Sequence, residues 1–388
     1  MREAVIVSAV RTAVGKAGRG TLRETRPDDM AAEVIKGALA RVPGVLPSMV
    51  DDVILGCAMP EAEQGGNVAR IASLLAGVPH TASAMTINRF CSSGLQAASI
   101  VADRIAAGSI DAGLAGGLES MSLIPMGGAK IALNPAVVEQ FPAAYIPMGN
   151  TAENVARQFG VSRGDQDAFA LASHQKAVAA QGRGDFAAEI LPVKTRVFDG
   201  EIWRDITVDK DEGPRADTSL EKLAALKPVF DPTGTVTAGN SSPLNDGATT
   251  VVLMGADTAK AAGKKPRAYF RAFAVAGVPP EIMGIGPVPA VRKLLAKTGL
   301  KIDQIDLFEI NEAFASQAFY CVRELGLPVE RVNVNGGAIA LGHPLGATGA
   351  RQIATALHEL ERRKGRYAVI SMCVGGGMGA AGLIERAA

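Results

Sequence analysis

Short apolar runs alternate with helix-patterned stretches along this 388-residue chain, and the alternation is written twice, once towards each end. In the first series residues 4–7, 53–56, 85–87 and 112–117 read as strands. Between them come a helix capped by Asp28, with Met30, Val34, Ile35, Ala38 and Val42 on one face, and a helix over 67–75. A third helix is expected over 92–107, where Leu95, Ala98, Val101, Ala102 and Ile105 recur at helical spacing and Gly108 supplies the stop. The second series predicts helix 288–296, strand 307–310, helix 313–325, strand 332–335, helix 347–361 and closing strands 368–373 and 380–384. Alternation of this kind predicts an α/β fold with largely parallel sheets and helices on both faces.

A faint internal repeat underlies the two series. Thr86-Ile87-Asn88 with Ser93-Gly94 echoes Val334-Asn335-Gly336-Gly337, and Gly113-Leu114-Ala115-Gly116-Gly117 echoes Met372-Cys373-Val374-Gly375-Gly376. Two related halves are therefore expected, residues 1–260 and 266–388, with a cleft at their seam. Residues 119–245 differ in texture: charged, glycine- and proline-punctuated, with a short helix expected over 165–179, they read as an insertion lying over the core.

Charge and cysteine usage remove several function classes. Lys and Arg total 40 against 39 for Asp and Glu, so the strong positive field that nucleic-acid binding needs is missing. No apolar run reaches the roughly 18 residues of a membrane span, and the acidic third residue, Glu3, argues against a secretory leader. Cys57, Cys91, Cys321 and Cys373 lack paired spacing, which predicts free thiols in a reducing, cytoplasmic compartment.

Four stretches carry chemistry. Asn88-Arg89-Phe90-Cys91-Ser92-Ser93-Gly94 places a cysteine at a helix start, where unpaired N–H groups and the macrodipole are expected to favour the thiolate. A lone cysteine is equally at home as a small buried hydrophobe. Gly342-His343-Pro344-Leu345-Gly346 presents an imidazole on a tight turn before a helix. His80, His174 and His358 read as surface residues. Ser371-Met372-Cys373-Val374-Gly375-Gly376-Gly377 sets a second cysteine against bare backbone N–H groups able to cradle an oxyanion. Glu309-Ile310-Asn311-Glu312-Ala313-Phe314-Ala315 interrupts a strand-to-helix junction, where Asn311 could simply cap the helix. Residues 377–382 match the GxGxxG of dinucleotide sites, but neither a following helix nor an acidic residue about 20 positions on is available. Zinc on Cys91, His343 and Cys373 lacks paired ligand spacing.

Together these stretches resemble the thiolase family, in the family's order and over nearly the whole chain. The resemblance implies two similar αβαβαββ halves forming a five-layered αβαβα core, with a loop domain at 119–245 inserted in the first half, and a homo-oligomer, dimer or tetramer. It assigns Cys91 as the acylated nucleophile, His343 as its activating base, Cys373 as a second acid and base, and Asn311 as the holder of a catalytic water. His343 and that water would form one oxyanion hole; the N–H groups of Cys91 and Gly375 would form the other. Coenzyme A enters as substrate, with no tightly bound cofactor and no metal, and its channel would be lined by Ser242 and Ala238, Met148, Arg215, Phe230, Met283, Ala313 and Phe314. Biosynthetic acetoacetyl-CoA thiolases carry a histidine where Pro147 stands here. The runs 146–154 and 275–284 look instead like degradative 3-ketoacyl-CoA thiolases of fatty acid β-oxidation, with acetyl-CoA C-acetyltransferase as the alternative. A β-ketoacyl synthase would pair its cysteine with two histidines, and a scaffold would not need the three reactive residues together.

Overall fold

The computed structural model describes residues 2–388. The chain opens with strand β1 (Ala4–Arg11), helix α1 (Pro27–Ala40), β2 (Asp52–Gly56), α2 (Val68–Leu75), β3 (Ser83–Ile87), α3 (Ser93–Ala106) and β4 (Ala112–Ser120). An excursion carrying α4 (Met148–Gln158), α5 (Arg163–Arg183) and the hairpin β5 (Val193–Phe198)–β6 (Trp203–Val208) follows, and β7 (Asn245–Gly255) returns to the core. The second half holds β8 (Ala268–Gly277), α6 (Pro287–Thr298), β9 (Leu307–Ile310), α7 (Ala315–Leu325), α8 (Leu345–Arg363), β10 (Tyr367–Val374) and β11 (Met378–Arg386).

Each half builds the same sheet. In the first, β3, β2 and β4 are parallel and β7 and β1 are added antiparallel. In the second, a bridge at Val332 lies parallel to β9, β9 is parallel to β10, and β11 and β8 are added antiparallel. The outer antiparallel strands β1 and β8 meet through only two residue pairs, Val5 with Tyr269 and Ile6 with Ala268. Three hydrophobic cores follow. One lies under α1 and α2, one under α6 and α7, and the central one takes Leu95, Val101 and Ile105 of α3 and Ile353, Leu357 and Leu360 of α8 between the two sheets. That is the expected five-layered order.

Small residues let the two central helices touch backbone to backbone. A Cβ on Gly94 would stand 2.8 Å from Gly346 O, and one on Gly349 would stand 2.5 Å from Leu95 N. The crossing is at the N-terminal ends, so the residues preceding α3 and α8 are brought to one place.

Several local expectations fail for identifiable reasons. Pro27 opens α1 and Arg26 precedes it, so Asp28 sits inside the first turn, bound to the Arg26 guanidinium and accepting the Asp29 N–H, and is not the N-cap. Residues 332–335 form no strand: Asn333 has φ +42°, and its side-chain amide takes both backbone bonds of Ile310, donating to the carbonyl and accepting from the N–H. The helix expected over 165–179 is longer, because Ser162 and Asp165 close a capping box and Gly184 ends it in the left-handed region. His174 and His358 are buried, not superficial: α8 lies between two sheets, so even its polar face is covered, and His174 accepts the Arg215 N–H. Glu119, Ser120 and Asn245 belong to core strands, so the excursion itself spans the residues between them. The glycine run at 377–382 enters strand β11, not the helix that dinucleotide binding would need.

Candidate active site

Cys91 lies in a single 3₁₀ turn, Phe90–Ser92, immediately before α3. Phe90 takes φ +43°, and the turn is pinned by Phe90 N donating to Asn88 Oδ1 (2.8 Å) and Ser93 Oγ donating to Phe90 O (2.7 Å). The thiol is 1% exposed, packed against Ala58, Met121 and Leu345. The N–H groups of Gly375 and of Cys91 itself face the sulfur and favour its anion, yet burial outweighs them and pushes the thiol up to about 12. The helix start therefore does not hold a resting thiolate, as its position in the sequence suggested; the sulfur rests protonated.

His343 leaves the Gly342 turn (φ +100°) with its backbone N–H donated to Asn245 Oδ1 at 2.9 Å. Its Nδ1 is 2.6 Å from Thr348 Oγ1, which already donates to Pro344 O at 2.8 Å. The hydroxyl has one proton, so it must accept from Nδ1–H, and Nε2 carries the lone pair. Asn311 Nδ2 donates to that Nε2 at 3.2 Å. Burial, reinforced by the Arg351 charge, holds the imidazole down to about 3, so at neutral pH it is an uncharged base.

Asn311 extends β9, its N–H donating to Ser371 O at 2.8 Å; helix α7 begins only at Ala315, so Asn311 is not its cap. The buried Oδ1 has no partner among the described residues. Cys373, on β10, is fully buried and its thiol is pushed well up by burial and by nearby Cys91 and Cys321. Gly375, whose N–H faces the Cys91 sulfur, begins the turn to β11, where Gly376 and Gly377 take positive φ. The structure thus gathers Cys91, His343, Asn311, Cys373 and Gly375 at the ends of α3, α8, β9 and β10.

Most of the expected coenzyme channel adjoins them. Met283 and Ala313 pack on Cys373, with Met148 and Phe314 at the edge. Phe230 meets Phe314 edge to face at 6.0 Å, and Ser242 N donates to Ala313 O at 2.9 Å. Ala238 is exposed on the turn leading to Ser242. Arg215 is exposed and bonded to His174 through its backbone and guanidinium, not to this cluster. A surface groove of about 760 Å³ between α1 and the hairpin shares no residue with the site. No group of three or more His, Cys, Asp or Glu among the described residues could hold a metal ion.

Sequence reasoning missed Thr348, Asn245 and Glu119. Thr348 was open to discovery, since a hydroxyl in the first turn of the helix after His343 faces back on it. Asn245 and Glu119 carry no local signal; only the tertiary fold brings them to the His343 turn.

A cysteine, a neutral histidine, a second thiol and paired N–H donors on two duplicated α/β halves define an acyltransferase. The family model for the thiolase N-terminal domain matches residues 4–257, and that for the thiolase C-terminal domain matches residues 264–386. The chain belongs to the thiolase family. It is 52% identical to a 3-ketoacyl-CoA thiolase of Bacillus subtilis over 99% of this chain and 100% of that one. Peroxisomal 3-ketoacyl-CoA thiolase A of Rattus norvegicus is 50% identical over 99% of this chain and 88% of the relative. A crystal structure of the Bacillus anthracis acetyl-CoA acetyltransferase superposes with TM-score 0.91 at 43% identity, covering 100% of this chain and 99% of that one.

Proposed function

We propose that this enzyme cleaves 3-ketoacyl-CoA thiolytically, giving acetyl-CoA and an acyl-CoA shortened by two carbons, as in fatty acid β-oxidation. The observation that carries this reading is that a protonated Cys91, under two N–H donors and packed on Leu345, shares its cluster of strand and helix ends with a neutral His343 whose Nε2 is an acceptor. His343 takes the Cys91 proton as sulfur attacks the 3-keto carbon, and the resulting oxyanion is received by the N–H groups of Cys91 and Gly375. The C2–C3 bond then breaks. The enolate of acetyl-CoA is held by the protonated His343 and a water on Asn311, whose buried Oδ1 is a free acceptor, and Cys373 delivers the proton to C2. Coenzyme A gives its thiol proton to the Cys373 thiolate and attacks the Cys91 thioester; the shortened acyl-CoA forms as Cys91 leaves as a thiolate and recovers its proton from His343. Run backwards, the same groups condense two acetyl-CoA, the alternative activity that the acetyltransferase likeness keeps in view.

Ser242, Ala238, Met148, Phe230, Met283, Ala313 and Phe314 line the coenzyme channel in this reading, with Arg215 at its outer, solvent-exposed end. The halves 1–260 and 266–388, with the loop domain held within 119–245 between the core strands, divide the labour: the loop domain carries much of the channel and the halves carry the chemistry. Among the described residues no helix is long and apolar enough to cross a membrane, and four free cysteines support a reducing, cytoplasmic setting. A homo-oligomer, dimer or tetramer, is supported by the open outer edge of β3 beside exposed Ile71, Leu74 and Leu75 of α2. The decisive experiment is incubation with CoA and 3-ketoacyl-CoAs of increasing length, following loss of the substrate's enolate absorbance. Turnover of acetoacetyl-CoA alone would favour the alternative, and turnover of none would end both readings.

A further inference from the structure

We infer that Glu119 is a positioning residue for this reaction: a carboxylate at the end of β4 that caps helix α8 from outside and so fixes His343 against Cys91. The inference rests on the reading of His343 as the base.

Helix α8 begins at Leu345 behind Pro344, which has no side-chain group to cap it. The first backbone N–H groups of a helix have no partner within it and stay costly when buried. One of these, Gly346 N, donates to Glu119 Oε2 at 2.8 Å. The same oxygen accepts Ala58 N at 2.8 Å, while Oε1 accepts Gln64 Nε2 at 2.8 Å, Met59 N at 3.2 Å and the Cys57 thiol at 3.7 Å. Every partner is a donor, so an ionised carboxylate satisfies them all and an amide cannot. A negative charge at a helix N-terminus is favourable as well. Ala58 packs against Cys91, so a single carboxylate ties the wall of the thiol pocket to the helix that presents the imidazole.

Contact geometry makes the tie tight. A Cβ on Gly117 would fall 2.0 Å from Gly346 O, and one on Gly346 would meet Leu118 O, Gly56 O and Cys57 Cα at 2.6–2.8 Å, so the first turn of α8 lies directly on the strand ends. The duplication adds an independent argument. Strand register, not the glycine echo of 113–117 with 372–376, sets the equivalence of the halves: Gly56 pairs with Gly117 as Ile310 pairs with Ser371, so two residues further on Glu119 occupies in the first half the place Cys373 occupies in the second. The equivalent strand end that supplies a thiol in one half supplies the anchor for the opposing loop in the other.

Three proteins, wild type, Glu119→Gln and His343→Ala, test this below their melting temperatures. Hydrogen–deuterium exchange should rise in Glu119→Gln at the first turn of α8 and stay unchanged in α6 and α7. kcat for thiolysis should fall roughly 100-fold, the usual penalty for misplacing a reacting group by about 1 Å, with KM within about twofold. Iodoacetamide alkylation of Cys91, which needs no bound coenzyme, should slow in both variants. Unchanged exchange at α8 overturns the tie. Raised exchange with wild-type alkylation and kcat in Glu119→Gln, beside slowed alkylation in His343→Ala, reduces Glu119 to a structural cap and overturns the positioning role. Wild-type alkylation in His343→Ala would instead sink the assignment of His343 as base, and the positioning role with it, while the exchange result still decides the tie.

Discussion

The two halves have the same strand order and the same switch from parallel to antiparallel pairing, yet they contribute unequally to the site. The second half sends three strand or helix ends into it, with Asn311 after β9, His343 before α8, and Cys373 at the end of β10 with Gly375 just beyond. The first half sends one, Cys91 before α3. Its other two equivalent ends hold Cys57, whose thiol is pushed up by burial and by Glu119, and Glu119 itself, both turned to internal bonds. Duplication thus supplied a symmetric frame, and the chemistry needed only one nucleophile facing a set of donors and bases. One nucleophilic thiol carries one acyl group at a time, so the spare ends of the first half are free to serve as structure.

The sharpest way to break this division is Cys91→Ser. A hydroxyl ionises far less readily than a thiol, so kcat should fall by roughly 10⁴-fold or more, near the cost of deleting a nucleophile elsewhere. Retention of a few per cent of activity would mean the first half does not supply the nucleophile. Cys373→Ser tests the other side. Overall thiolysis and deuterium wash-in at the acetyl methyl should drop roughly 10²–10⁴-fold, while slow acylation of Cys91 from acyl-CoA persists in a quenched mass spectrum. Lost acylation with retained wash-in would reverse the two roles.

Between the halves, Gly346→Ala should cost about 3 kcal/mol of unfolding free energy, because the new methyl meets backbone on three sides and none of it can yield. A cost below about 1 kcal/mol in urea titrations would show the central helices to be more loosely seated. The pH dependence of stability gives a smaller effect. Folded His343 takes up a proton only near pH 3, whereas an unfolded histidine does so near 6.5, so the unfolded chain gains a proton as pH falls through that window and stability declines. His343→Asn should flatten the acid limb by up to about 1.4 kcal/mol per pH unit between pH 6 and 5. An unchanged slope would mean the imidazole is not buried neutral; His174, held to about 4, keeps part of the limb in either protein. Smallest of all, Ser242→Ala in the loop domain should raise KM for CoA esters a few-fold and leave kcat nearly unchanged, the pattern of an interaction made equally before and during reaction. An equal fall in kcat and kcat/KM would move Ser242 into the chemistry.

Apolar periodicity made α3, β9 and α8 legible, since each is defined by residues whose burial follows from their own type. It could not show that α8 is covered on every side, which is why His358 was read as superficial: a helix between two sheets buries its polar face as well. Side chains that substitute for backbone were equally hidden. Asn333 replaces a strand's ladder and Glu119 replaces a helix cap, and both act across long sequence separations. The resting state of Cys91 is hidden from the sequence because the helix-start effect is local, whereas the burial that overrides it is assembled from Ala58, Met121 and Leu345.

The pairing of β1 with β7 and β8 also sets an order of events in synthesis. Ala4 waits for Gly255, and Val5 for Tyr269, so β1 remains without its partners until the residues of β7 and β8 have been made. Meanwhile β2, β3 and β4 can form their local parallel trio, leaving the glycine-rich edge of β4 open for whatever strand arrives first. The excursion before β7 prolongs that exposure. The residues that bracket Cys91 from the other side, Cys373 to Gly375, emerge last, so a half-made chain carries its thiol through elongation without the neighbours that complete the pocket.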